Sequence, residues 1–160
     1  MKAASLSDLK KELEGLPPQQ VLELCMRLAK QKKENKELLT YLLYEANDES
    51  AYIKSIKEEV DVFFTEVNIS HVYLAKKTLR KILRVLNKYS KYSGSKQTEV
   101  ELLIYFCQKL KATGLDIEKS QVLKNMFERQ ILKIKTSISK MHEDLQYDYV
   151  IPLKELENMA

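Results

Sequence analysis

Histidine and cysteine side chains bind metal ions and act as nucleophiles more often than most others. The chain has two of each: His71, His142, Cys25 and Cys107. None of the four has a partner at zinc-ligand spacing, and the adjacent carboxylates Glu58 and Glu59 would diverge by about 100° on a helix, which is poor geometry for shared acid–base work. With no Gly-rich phosphate loop either, the sequence predicts a protein that is not an enzyme and holds neither a cofactor nor a metal ion.

Both cysteines lie within apolar helical patterns, where a reduced thiol behaves as a small core side chain. We therefore expect Cys25 and Cys107 in the core and no disulfide framework. The first residues lack the apolar run of a signal peptide, and no stretch approaches the roughly 18 apolar residues that a membrane span needs. The sequence therefore predicts a cytoplasmic protein that does not enter a membrane.

Positive charge is concentrated in one part of the chain. Residues 67–98 carry eight Lys or Arg and no Asp or Glu, whereas the whole chain has a net charge of only +4. Apolar residues within this stretch recur every three or four positions, the spacing of one face of a helix. They are Val72, Ala75, Leu79, Ile82, Leu86 and Tyr89. We predict a core helix over residues 70–93, ended by Gly94, whose opposite face is basic.

The basic face predicts a site for nucleic acid or another polyanion over residues 76–96. The candidate residues are Lys77, Arg80, Lys81, Arg84, Lys88, Lys91, Tyr92 and Lys96. In this hypothesis Tyr92, which lies off the apolar face, stacks on a base while the lysines contact phosphates, and the amides near residues 96–98 also favour an anion. The alternative is that the basic face is the solvated side of a core helix, partly neutralised by acidic residues of the preceding helix. These are Glu58, Glu59, Asp61 and Glu66.

Helix signals follow one another along the whole chain. We predict helices over residues 5–14, 38–46, 49–67, 70–93, 98–113 and 120–146, a further helix entered through Pro17 and Pro18, and a short turn from Pro152. Residues 38–46 are apolar nearly all round, so we expect them in the interior. Short turns imply antiparallel neighbours, and we predict an all-α fold of six to seven antiparallel helices in a bundle or a short right-handed stack of helical hairpins. The stack resembles HEAT and armadillo packing by analogy of architecture alone.

The chain length fits a single domain over residues 1–160, with the short C-terminal turn at 148–160 loosely attached. The last long helix, 120–146, would extend about 40 Å, further than its neighbours. Its apolar stripe is formed by Ile131, Ile134, Ile138 and Met141. The stripe serves either the protein's own core or a partner helix, and a second copy of the chain would then give a homo-oligomer.

Two functions from different classes remain open. The first is a non-enzymatic protein-interaction or scaffolding module, whose protein partner the sequence does not identify. The alternative is nucleic-acid or other polyanion binding through the basic helix.

Overall fold

The computed structural model describes residues 2–158, and every regular element within that range is helical, with no strand. Helices α1 (Leu6–Glu14), α2 (Pro18–Gln31) and α3 (Lys33–Thr40) come first, and a π-helical turn, Tyr41–Glu45, follows α3. The remaining helices are α4 (Glu49–Thr65), α5 (Val72–Ser93), α6 (Lys96–Ala112), α7 (Gln121–Ile138), α8 (Glu143–Asp148) and α9 (Val150–Asn158). The all-α prediction is confirmed and a helical bundle fits, while a stack of helical hairpins stays a prediction.

The chain divides into two compact units, residues 1–44 and residues 45–160. In the first, the Ser5 hydroxyl caps α1 by accepting a hydrogen bond from the Asp8 backbone N–H in the first turn. Helix α2 packs against α3, and the Asn35 side chain donates to the Leu28 carbonyl at 2.8 Å. None of the residues in α1, α2 or α3 is buried. The single domain stays a prediction.

The core of the second unit is built around α6. This helix packs against α4, α5, α7 and α9, because its middle is apolar on every side and can be covered all round. The largest fully buried side chains come from these five helices: Val60, Leu79, Ile82, Leu86, Val100, Leu102, Leu103, Phe106, Leu110, Leu123, Ile134 and Leu156. Each contributes roughly 1.5–3 kcal/mol of hydrophobic stabilisation, so this cluster is the main force that holds the unit together.

A polar cluster around Glu99 ties α6 to α5 and α7. The Glu99 carboxylate pairs with Lys133 Nζ at 3.0 Å and accepts a hydrogen bond from Ser137 Oγ at 2.7 Å, both from α7, and Lys96 Nζ lies 3.0 Å away. Lys133 also donates to the Asn87 side chain of α5 at 2.6 Å. Burial works to raise the pKa of Glu99, but the hydrogen bonds from Ser137 and the two lysines outweigh it and lower the pKa from 4.5 to about 2.

The prediction of one long helix over residues 120–146 is wrong. Helix α7 ends at Ile138, and α8 begins at Glu143 after a turn. Two backbone N–H groups in the turn donate to carbonyls three residues back, which tightens the chain, and His142 adopts an extended backbone and caps α8 with its ring nitrogen. The apolar spacing continues across this break, so periodicity misses it. The excess helix length on which the predicted homo-oligomer depends is therefore absent.

Residues 38–46 do not lie in the interior, contrary to the prediction. Helix α3 gives way at Tyr41 to the π-helical turn, just after the Thr40 hydroxyl donates to the Lys36 carbonyl, a bond that competes with the helix ladder. Tyr41 is the buried residue of the turn, whereas the three residues after it are 55–73% exposed. An apolar helix becomes interior only when other helices surround it, and within residues 1–44 the extensive packing of α3 is with α2 alone.

The two cysteines have different surroundings, and both thiols are free. Cys107 is fully buried in α6, as predicted, and burial raises the pKa of its thiol to about 12. Cys25 is exposed on α2, so the prediction of a core cysteine is wrong there. No residue of α2 is buried, so its apolar face is not covered along the length of the helix.

The C-terminal segment is a helix held against α6, whereas the sequence predicts a loosely attached turn. Leu156 of α9 is 1% exposed, and Lys111 Nζ of α6 donates to the Leu156 carbonyl at 2.8 Å. Just before α9, the Tyr149 hydroxyl donates to the Glu101 carboxylate at 3.2 Å. Contacts at the beginning and near the end of α9 therefore fix it to the centre of the unit.

Replacing Ile134 with glutamate tests whether the apolar stripe of α7 belongs to the core. Ile134 is 0% exposed, so Ile134→Glu should lower the free energy of unfolding by about 4 kcal/mol or more, because a carboxylate would be buried without a partner. Urea unfolding followed by circular dichroism measures the change. Leu132→Glu is the matched control, since Leu132 is 66% exposed on the same helix. A folded Ile134→Glu protein as stable as the control would contradict the assignment.

Replacing Glu99 with glutamine should remove a pH-dependent contribution to stability. The pKa of Glu99 is lowered from 4.5 to about 2 in the folded protein, so its contribution is complete above pH 4.5 and is lost as the pH falls towards 2. We expect Glu99→Gln to be less stable than the parent at pH 7, with the difference shrinking between pH 4.5 and 2. Urea unfolding at several pH values measures it, with Glu155→Gln, an exposed site on α9, as control. A constant difference across that range would contradict this role of Glu99.

Candidate anion-binding site

The basic helix is α5, and its apolar face is the predicted one. Ala75, Leu79, Ile82 and Leu86 are each 0% exposed and face α4 and α6. The ends of the predicted face differ, because Val72 is 43% exposed and Tyr89 is half-buried. Gly94 ends the helix in the left-handed conformation, with φ of 67°, which a residue without a side chain adopts at little cost. With one face fixed against two neighbours, the opposite face of α5 must point to solvent.

Four exposed cations occupy that outward face: Lys77, Arg80, Arg84 and Lys91. None of them forms an ion pair with another residue in the range 2–158. At 100° per residue, the four lie within a sector of about 60°, and at 1.5 Å per residue they span about 21 Å along the helix. We call these four residues the basic row.

The acidic side chains of α4 neutralise only the edge of the predicted site. Lys81 pairs with Glu66 at 3.6 Å and lies over the Phe63 ring, 4.2 Å from its centroid. The other acidic residues of α4 with contacts do not reach the basic row, since Glu59 accepts from the Tyr89 hydroxyl at 3.0 Å and Asp61 pairs with Lys109 of α6 at 2.8 Å.

Two more candidate lysines of the predicted site also have contacts. Lys88 Nζ lies 4.8 Å from the centroid of the Tyr89 ring, and Lys96 pairs with Glu99 at 3.0 Å. Neighbouring acidic groups therefore cancel only part of the positive charge of α5, and the middle of the helix stays positive.

The turn after α5 is less open than the sequence predicts. Tyr92 is half-buried, and its ring lies against the Tyr89 ring with centroids 6.1 Å apart. The hydroxyls of Ser93 and Thr98 both donate to the Glu49 carboxylate. A carboxylate of the protein itself therefore lies where an external anion is predicted, near the start of α6.

Ser95 caps α6, and Thr98, where the sequence predicts the helix to begin, is fully buried one turn inside it. Because Ser95 already satisfies an amide of the first turn, a hydroxyl at Thr98 is free to bind Glu49.

An exposed aromatic residue lies at the other end of α5, and the sequence reading missed it. Tyr73 is 71% exposed, and Lys76 Nζ lies 5.1 Å from its ring centroid. An open groove of about 750 Å³ runs along this part of the helix, lined by Tyr73, Lys76, Lys77, Arg80, Leu83 and Arg84. The signal that could have revealed it is spacing, since Tyr73 lies four and seven positions before Lys77 and Arg80 and thus on their face.

The four residues of the predicted partner stripe do not form one continuous face. Ile134 is fully buried in the core, Ile131 and Ile138 are half-buried, and Met141 lies beyond the end of α7. Ile131 lines a separate cleft of about 480 Å³ along α7. Of the four, Ile134 alone is fully part of the core, and a partner at this stripe stays a prediction.

Residues 1–44 expose many large apolar side chains. They are Leu6, Leu9, Leu13, Leu22, Leu24, Met26, Leu28, Leu42, Leu43 and Tyr44, with exposed fractions of 41–86%. Helical spacing identifies an apolar face on a helix but does not identify what covers that face.

Other classes of site find no support in residues 2–158. That range contains no cluster of three or more His, Cys, Asp or Glu side chains suited to a metal ion. No helix within it is long and apolar enough to cross a membrane. Comparisons with protein-family models, curated proteins and solved structures find no match to this chain.

Proposed function

We propose that this chain is a non-enzymatic, cytoplasmic binding module that holds a polyanion along the outward face of α5. The observation that carries the proposal is the basic row, whose four cations have no acidic partner among residues 2–158. Like charges one helical turn apart, such as Arg80 and Arg84, repel each other by a few tenths of a kcal/mol. An anionic partner would relieve that repulsion.

The geometry of the row favours an extended polyanion over a small anion. Its members follow one another at intervals of three, four and seven residues, so their charges are spread along about 21 Å of helix and do not converge on one point. Two of the four are arginines, whose planar guanidinium groups bind phosphate oxygens in pairs. A chain of phosphates therefore suits the basic row. The competing explanation is that the row is only the solvated face of a core helix.

Reversing the charge of the basic row should abolish this binding. We expect the parent protein to bind nonspecific DNA or RNA at about 50 mM salt, with affinity that falls steeply as salt rises, because each phosphate contact releases a counterion. The triple variant Lys77→Glu, Arg80→Glu and Arg84→Glu should bind at least about tenfold more weakly and show a shallower salt dependence, by roughly 0.9 in logarithmic slope for each lost duplex contact. Fluorescence anisotropy during a salt titration measures both quantities.

The control reverses three exposed cations elsewhere, at Arg129 of α7, Lys140 just after α7 and Lys154 of α9, so that net charge changes by the same amount without touching α5. The proposal fails if the parent protein does not bind at about 50 mM salt, or if the control weakens binding as much as the triple variant does.

A protein-interaction or scaffolding role is the second candidate, and the exposed apolar residues of 1–44 favour it. Large exposed apolar patches on proteins commonly mark contacts with other proteins. A unit of this size also has difficulty in burying enough apolar area on its own, and association is one usual remedy. If the partner is a second copy of the chain, the interaction can be measured directly on the purified protein.

Substitution of Leu24 and Leu28 by serine tests that version. These residues are 41% and 61% exposed on α2, so the double variant should keep its helical content while losing any concentration-dependent association seen for the parent by light scattering. In the parent, the exposed Cys25 thiol should react with a thiol reagent more slowly as protein concentration rises, while Cys107 stays unreactive because it is buried.

Leu132→Ser on α7, 66% exposed and outside residues 1–44, is the control. A strict monomer whose Cys25 reacts at the same rate at every concentration would exclude self-association through this surface.

A further inference from the structure

Tyr73 is exposed and does not belong to the core. It projects from the first turn of α5 with 71% of its surface in solvent. Its hydroxyl makes no hydrogen bond to any residue in the range 2–158. Apart from the cation–π contact with Lys76, the ring lies in solvent, so a ligand can reach it.

The surroundings of Tyr73 combine the two properties that single strands of nucleic acid require. On a helical wheel the ring lies in the same sector of about 60° as Lys77, Arg80 and Arg84. These residues line the same open groove, together with Lys76 and the half-buried Leu83. The groove therefore offers an aromatic platform at one end and a run of cations that leads away from it.

We infer that the first half of α5 binds single-stranded nucleic acid, with an unpaired base stacked on Tyr73 and the phosphates that follow it held by Lys77, Arg80 and Arg84. This inference rests on the proposed function, because it needs α5 to bind a polyanion. It moves the aromatic platform from Tyr92, which lies against Tyr89, to the opposite end of the helix.

Stacking is what distinguishes a single strand from a duplex at this site. The phosphates of a duplex would satisfy a row of cations without any aromatic residue, because backbone contacts dominate nonspecific duplex binding. In a duplex the faces of the bases are already stacked on one another, so an exposed ring gains a partner only when a base is unpaired. An acidic polypeptide could likewise satisfy the cations but offers no base to the ring.

The test compares anionic probes of similar length on the intact chain. A fluorescent oligo-dT of about 12 nucleotides represents the single strand, and the same strand annealed to its complement represents the duplex. Polyphosphate and polyglutamate, added as competitors, supply charge without bases. We expect the single strand to bind more tightly than the duplex, and we expect Tyr73→Leu to weaken single-strand binding by about tenfold while leaving duplex binding unchanged.

Tyr147→Leu is the matched control, because Tyr147 is 80% exposed on α8, away from α5. Circular dichroism verifies that both variants are folded, which the exposure of both side chains favours. Tyr73→Phe provides a second variant, since it keeps the stacking ring without the hydroxyl and should bind as the parent does.

Each outcome bears on the inference in a different way. Equal binding of single strand and duplex, with Tyr73→Leu unchanged, would overturn the inference and leave the proposed polyanion binding intact. Competition by polyglutamate as effective as that by oligo-dT would also overturn it and would favour an acidic protein partner. If none of the anionic probes binds, both the inference and the proposed function fail.

Discussion

The burial of α6 is the constraint on which the second unit depends. Six consecutive apolar residues, Leu102 to Cys107, leave the middle of this helix no polar face, so other helices must cover that part of it. Helices α4, α5, α7 and α9 do so. Because α5 is held by both α4 and α6, its apolar face is fixed in direction, and its charged face is fixed with it. The exposure of the basic row is thus a consequence of how α6 is buried.

Around α6, several charged side chains form ion pairs or hydrogen bonds within the protein. Glu99 pairs with Lys96 and Lys133, Asp61 pairs with Lys109, and the Glu101 carboxylate accepts a hydrogen bond from the Tyr149 hydroxyl. Most of these contacts lie between α6 and its neighbours, where burial makes an unpaired charge costly. The basic row lies outside this network, so nothing in the packing of the core requires its charges to be matched.

Local spacing in the sequence predicts which side of a helix is apolar. It does not predict whether other helices pack against that side. The face of Ala75, Leu79, Ile82 and Leu86 follows from helical periodicity and is correct. In the segment after α7, helical spacing of apolar residues likewise continues through Ser139 to His142. The helix nevertheless breaks there, and the His142 ring caps α8, which apolar spacing does not indicate. Residues 38–46 and Cys25 have suitable apolar neighbours in sequence but lack helices to cover them, which only tertiary structure reveals.

The two ends of α5 differ in their surroundings. At the last turns, the Tyr89 ring lies against the rings of Tyr52 and Tyr92, and the Glu49 carboxylate accepts hydrogen bonds from the Ser93 and Thr98 hydroxyls. The first turn of α5 itself contains no acidic residue to balance the positive end of the helix dipole, and Lys76 and Lys77 add charge of the same sign. Dipole and side chains therefore act together there, and an anion that approaches beside Tyr73 meets both.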